Sequence, residues 1–245
     1  MVIKMYIGLL LTVITGLFFL IGIYSLQNVK KKEKTSLFTI SLAFIVLLGL
    51  LVFHLLPEII EFKNVLLIIP IIIGFLLIIL FDKFIPHHNH EHIDNKCDKT
   101  DHNNHLNHIG LVTIIALAIH NLIEGLTLYS ITITSVKSGV LMMLSIALHN
   151  IPLGFQIGNS IKFNKNSKLL IFSLCTSSFL GALIYMMFGS LNESILCILH
   201  ALTFGMLLYL LLFELFNEIK SNLNKKEVKY GIFLGLIILI SSFMI

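Results

Sequence analysis

Residues 109–161 read IGLVTIIALAIHNLIEGLTLYSITITSVKSGVLMMLSIALHNIPLGFQIGNSI. Two apolar runs, 109–133 and 138–161, are each long enough to cross a bilayer. Each carries a polar string at its middle: His120-Asn121-Leu122-Ile123-Glu124-Gly125 in the first, His149-Asn150-Ile151-Pro152-Leu153-Gly154 in the second. Counted from Ile109 and Ser138, both histidines lie about 11 residues in. At about 1.5 Å per residue this is about 16 Å, half of a ~30 Å hydrocarbon core. A carboxylate at that depth costs about 2.5–3.5 kcal/mol on insertion scales, so a chain that keeps one there gains function from it.

The rest of the chain agrees with a membrane setting. Of 245 residues, 57% are hydrophobic and 12% charged, with mean hydropathy +0.96; a soluble domain carries about 25% charged residues. Apolar runs predict eight spans, at 2–26, 37–57, 65–85, 109–133, 138–161, 168–189, 195–217 and 230–245. The fold class expected is therefore all-α and polytopic. The first run resembles a signal peptide, but it is long, has no small-x-small cleavage site and ends in Lys30-Lys31-Lys32-Glu33-Lys34, so it reads as a retained span. The connections after runs 1, 3, 5 and 7 hold 14 of the 17 Lys, and the other side holds Lys4, Lys63 and Lys137. The positive-inside bias thus places both termini outside the cytoplasm.

All 17 basic residues are Lys, scattered over short connections, which speaks against a nucleic-acid partner. Cys175 and Cys197 sit in apolar runs and read as packing residues, while Cys97 lies in a polar stretch.

That stretch, 86–108, holds His87, His88, His90, His92, His102, His105 and His108 among Glu91, Asp94, Asp98 and Asp101. It has too little apolar surface for a core and is expected to be a disordered cytoplasmic loop. Its imidazoles suit a Zn²⁺ buffer or sensor; the plainer reading is a hydrophilic linker. The implied organisation is spans 1–3 over 1–85, the loop over 86–108 and spans 4–8 over 109–245, a single membrane domain in all.

Within the strings, His120 and Glu124 are i,i+4 and share a helix face. An imidazole and a carboxylate one turn apart make a clamp for a borderline cation. Asn121 lies about 100° round, beside the same space. Pro152 has no N–H, so it frees the Leu148 carbonyl at membrane depth, which is tolerated where it lines a cavity. Gln156, seven residues after His149, is a further polar lining candidate. One buried histidine in a span is more often a packing residue than a ligand. Two His-Asn pairs at one depth, one with Glu and one with Pro, are hard to explain as packing. Weaker accessory candidates are His54 and Glu58 in the HLLPE string closing run 2, His200 near the outer end of run 7, and Glu214 and Glu218 near its inner end. Ordinary interfacial anchoring competes with a role in ion entry or exit for each of these.

On HNxxEG in run 4, HNIPxG in run 5, HLLPE in run 2, GMLLY at 205–209 and the His-rich loop, the whole chain resembles the ZIP (Zrt/Irt-like) family of divalent-metal transporters. Within it, the chain looks closest to the bacterial ZupT/GufA-like branch. The resemblance implies a 3+2+3 arrangement of eight helices and carriage of Zn²⁺ into the cytoplasm, with Fe²⁺, Mn²⁺ or Cd²⁺ as lesser substrates. Zn²⁺ would be cargo, with no cofactor. The implied main site is His120, Glu124 and His149, with Asn121 and Asn150 at a neighbouring second site. The partners implied are metal ions and the bilayer, and a homodimer is compatible with it. Two departures stand out. Leu153 occupies the position where that branch carries Glu, and 176–181 lacks the acidic residue and proline often found there. With one carboxylate the site carries about −1 charge, and its imidazoles favour Zn²⁺ over harder ions. No GxxxxGK[ST] loop is present, so a gradient would drive movement. Two rivals stay open: a non-transporting metal sensor or degenerate relative, and an intramembrane zinc hydrolase. The hydrolase is disfavoured because the chain has neither HExxH nor a second carboxylate at the site.

Overall fold

The computed structural model describes residues 2–25, 32–84, 99–161, 163–189 and 192–242. These are helical throughout apart from short turns, with no strand among the described residues. In order they form α1 (Val2–Ser25), α2 (Lys32–Leu50), α3 (Leu56–Glu61), α4 (Ile68–Phe84), α5 (Lys99–Thr134), α6 (Val136–Ser160), α7 (Lys165–Phe188), α8 (Glu193–Tyr209), α9 (Phe216–Lys220) and α10 (Lys226–Ser242).

Two of the expected spans are not plain α-helices. A π-helical segment, Leu51–Leu55, joins α2 to α3, and another, Leu210–Leu215, joins α8 to α9. Such wide turns inside a span are uncommon and recur at functional sites. Here they hold His54 and Glu214.

Among the described residues, six helices are long and apolar enough to cross a membrane: Val2–Ser25, Lys34–Glu61, Ile109–Thr134, Val136–Ser160, Lys165–Phe188 and Glu193–Lys220. The third and eighth expected spans fall short of that measure. The apolar stretch at Val65–Leu80 and the 17-residue α10 are both below the ~20 residues that a plain span needs. The third is cut at its start by a turn in which Lys63 takes φ 49° and Asn64 caps Val65–Leu67 through its side chain. A second correction concerns 86–108. α5 begins at Lys99, so 99–108 is helix rather than loop. No Gly or Pro lies between Lys99 and Ile109 to stop the helix from extending toward its N-terminus. Residues 85–98, with His87, His88, His90, His92 and Cys97, lie outside the described residues.

The helices sort into one central unit and two flanking pairs. α5 packs most extensively on α7 and α1 on α6, with α5–α6, α1–α7 and α1–α5 contacts closing the four into a unit. Outside it, α2 pairs with α10 and α4 with α8. Close backbone approach holds the unit together, as small residues do where no water drives association. A Cβ on Gly125 would stand 2.0 Å from the Ser178 carbonyl oxygen, and one on Gly181 2.0 Å from that of Leu122. The α1–α6 contact repeats this register. Gly154 faces the Phe19 carbonyl and Gly22 that of Ile151. Leu122 and Gly125 lie 29 positions before Ile151 and Gly154; Phe19 and Gly22 lie 159 before Ser178 and Gly181. The same 159 separates the starts of the π-helical segments, Leu51 and Leu210. It also separates Gly16 from Cys175, whose backbones touch each other.

Candidate metal site

α5 and α6 form a hairpin linked by Ser135 alone, whose hydroxyl caps α6 by accepting from the Ser138 N–H. This brings the two polar strings together. The Glu124 Oε1 lies 3.2 Å from the Nε2 of both His120 and His149. One ligand atom from each of the three falls within 4.8 Å of the others. His120 and Glu124 are almost wholly buried, at 1% and 3% exposed, and His149 is slightly more open. The imidazoles are tilted at 51° with centroids 6.3 Å apart.

The three groups crowd a point without saturating one another. Neither nitrogen of His120 nor the Glu124 Oε1 has a hydrogen-bond partner of acceptable geometry, although each is buried. Buried polar atoms left so are rare in folded proteins, and a bound ion or water is one partner that would satisfy them. Two imidazoles and a carboxylate are a donor set for Zn²⁺, with room for a fourth ligand.

A cavity of about 160 Å³ reaches this point. Glu124 and His149 line it, with Ser145 and Leu148 of α6, Gly49 of α2, His54 of the first π-helical segment, and Ile238 and Leu239 of α10. Leu148 is the residue whose carbonyl Pro152 deprives of its helical partner. His54 was a weak candidate from sequence, and it stands on the wall of the same cavity as Glu124 and His149.

The other candidates fall elsewhere. Asn121 donates from Nδ2 to its own helix at the Leu117 carbonyl, 2.8 Å, and Asn150 donates across to the Thr15 carbonyl of α1, 3.3 Å. Both Oδ1 atoms are buried and unpartnered. Gln156 is not on the cavity wall as expected; it is fully buried and donates to Ser160 Oγ, 3.4 Å. Leu153 sits wholly buried in the main apolar cluster with Phe19, Ile23, Leu47 and Leu50. Glu214 is buried in the second π-helical segment and Glu218 in α9. Glu58 and His200 meet as an ion pair between α3 and α8. His102, His105 and His108 lie on the first turns of α5. The α10 wall and the Glu58–His200 pairing were missed from sequence. The first carries no polar residue to signal it, and the second joins residues 142 positions apart.

The family model described as ZIP Zinc transporter matches residues 86–242, close to two thirds of the chain, and so takes in the hairpin and the central polar strings. The chain belongs to the ZIP zinc transporter family. Zinc transporter ZIP1 of Plasmodium falciparum (isolate 3D7) is 31% identical over 116 residues, which are 46% of this chain and 32% of that protein. The match thus spans about a third of the relative's length. With its apolar helices, this ZIP protein is an integral membrane protein. ZIP proteins are transporters, not enzymes, and the hydrolase reading falls with that membership.

Proposed function

We infer that this ZIP protein carries Zn²⁺ across the membrane into the cytoplasm through a site made by His120, Glu124 and His149. The observation that carries the reading is the meeting of ligand atoms from three side chains on two helices, those of His120 and Glu124 buried and unpartnered, beside a cavity that Glu124 and His149 line. Zn²⁺ would shed water onto the two imidazoles and the Glu124 carboxylate. Fe²⁺, Mn²⁺ and Cd²⁺ are weaker substrates on this reading, because one carboxylate offers hard ions little charge.

The topology proposed is eight helices in a 3+2+3 inverted repeat, with α4 and α10 as the shorter spans. The shared offset of 159 between α1 and α7 and between the two π-helical segments supports it, as does the 29-residue offset between α5 and α6. With the Lys bias, this puts both termini outside and the cavity opening outward, away from the Lys-rich side. The His-rich segment would then receive the ion in the cytoplasm. The second site that Asn121 and Asn150 would serve is absent or weakened here, since Leu153 supplies no carboxylate. A placement in the ZupT/GufA-like branch and a homodimer complete the proposal.

The test is Zn²⁺ entry into proteoliposomes loaded with a fluorescent chelator, for the wild type and for Glu124→Ala inserted to the same extent. Entry in the first and none in the second is expected. Zn²⁺ bound in the membrane region without entry would instead favour the sensor reading, which the Leu153 departure keeps in view.

A further inference from the structure

The geometry points to a second divalent-cation site, formed by the Glu58 carboxylate and the His200 imidazole, from which His54 passes the ion down to the cavity. It rests on the transport reading above and adds to it a place where the ion is first held.

Glu58 stands in α3 and His200 in α8, and Glu58 Oε2 and His200 Nδ1 are in ion-pair contact. That Oε2 is also buried with no hydrogen-bond partner of acceptable geometry, as at the central site. The Glu58 side chain is 38% exposed and that of His200 12%. Cys197, one turn before His200, has its Sγ 3.9 Å from the Glu58 carbonyl oxygen. An imidazole and a carboxylate suit a borderline cation such as Zn²⁺ or Cd²⁺.

The link inward is His54. It precedes Glu58 by four residues, within the π-helical segment, and lines the cavity that Glu124 and His149 also line. Stepwise ligand exchange along Glu58, His54 and Glu124 would strip water from the ion in stages rather than at once.

The rival account is a latch, an ion pair that ties α3 to α8 and binds nothing. His200→Lys separates the two, because an ammonium keeps the pair with Glu58 but has no lone pair for a metal. In the proteoliposome assay, a staging site predicts that His200→Lys and Glu58→Gln both raise the KM for Zn²⁺ about tenfold, with kcat the smaller change. Wild-type KM in His200→Lys would overturn the site. A binding measurement stands apart from flux. Equilibrium Zn²⁺ binding to the full chain carrying Glu124→Ala is compared with the same chain carrying His200→Lys as well; the His-rich segment is common to both. One fewer ion per chain in the second supports the site, and equal binding overturns it. Absent wild-type flux alongside that lost ion would sink the transport reading and leave the outer site standing.

Discussion

At the scale of single residues, the asymmetry of the site is set by one position. Leu153 follows His149 by four, as Glu124 follows His120. The equivalence is structural as well, since Gly125 and Gly154, each one residue on, make matching backbone contacts. One half of the hairpin therefore offers a carboxylate where the other offers an isobutyl group held in the apolar cluster. Leu153→Glu is expected to tighten Zn²⁺ binding several-fold and to slow release, so that flux at saturating Zn²⁺ falls while KM falls too. Unchanged binding in a folded Leu153→Glu protein would show that position 153 does not face the ion. A charge introduced into that cluster is costly unless a cation accompanies it, so thermal stability measured with and without Zn²⁺ should diverge more for the variant than for wild type.

Helix contacts decide whether those residues meet at all. The α5–α7 seam runs through Gly125 and Gly181, where any side chain would strike backbone. Gly125→Leu is expected to force the helices apart, at a cost of about 1–3 kcal/mol or more. The measured signs would be a lower melting temperature and lost Zn²⁺ binding, although no ligand is touched. Gly189→Ala, at the end of α7 with open space around it, serves as contrast: its positive φ of 78° brings a local strain cost, but Zn²⁺ binding should persist. At this scale the sequence was informative where chemistry contradicts surroundings. His120, Glu124 and His149 stood out because polar groups at mid-span are expensive, and i,i+4 spacing was enough to pair the first two. The π-helical turns were not legible, because LVFHL and LLLFEL differ in no local way from the α-helix around them. The start of α5 was misjudged because polarity was read as disorder, when nothing between Lys99 and Ile109 breaks a helix. Glu58 with His200 needed the packing of α3 on α8, which no spacing encodes.

For the molecule as a whole, the division into a central unit and flanking pairs matters most. Across the boundary, Asn159 of α6 donates to Thr39 Oγ1 of α2 at 3.4 Å, on the far side of the site from the cavity. Thr39→Cys with Asn159→Cys is expected to form a disulfide that stops Zn²⁺ entry, with reduction restoring it. Undiminished entry in the oxidised protein would show that α2 and α6 need not move past each other. Deleting 87–98, short of α5, should leave initial flux near wild type while changing how the protein responds to Zn²⁺ load; complete loss of flux in a folded deletion would make the segment essential. The hairpin bears on both. All three candidate ligands stand on two helices joined through Ser135 alone, and those helices are locked to α1 and α7 by backbone contact, whereas the cavity's opposite wall belongs to α2 and α10. On the proposed carrier reading, the grip and the doorway are thus separate parts: a passenger can stay seated on one while the other slides by, and changing sides need not begin with letting go.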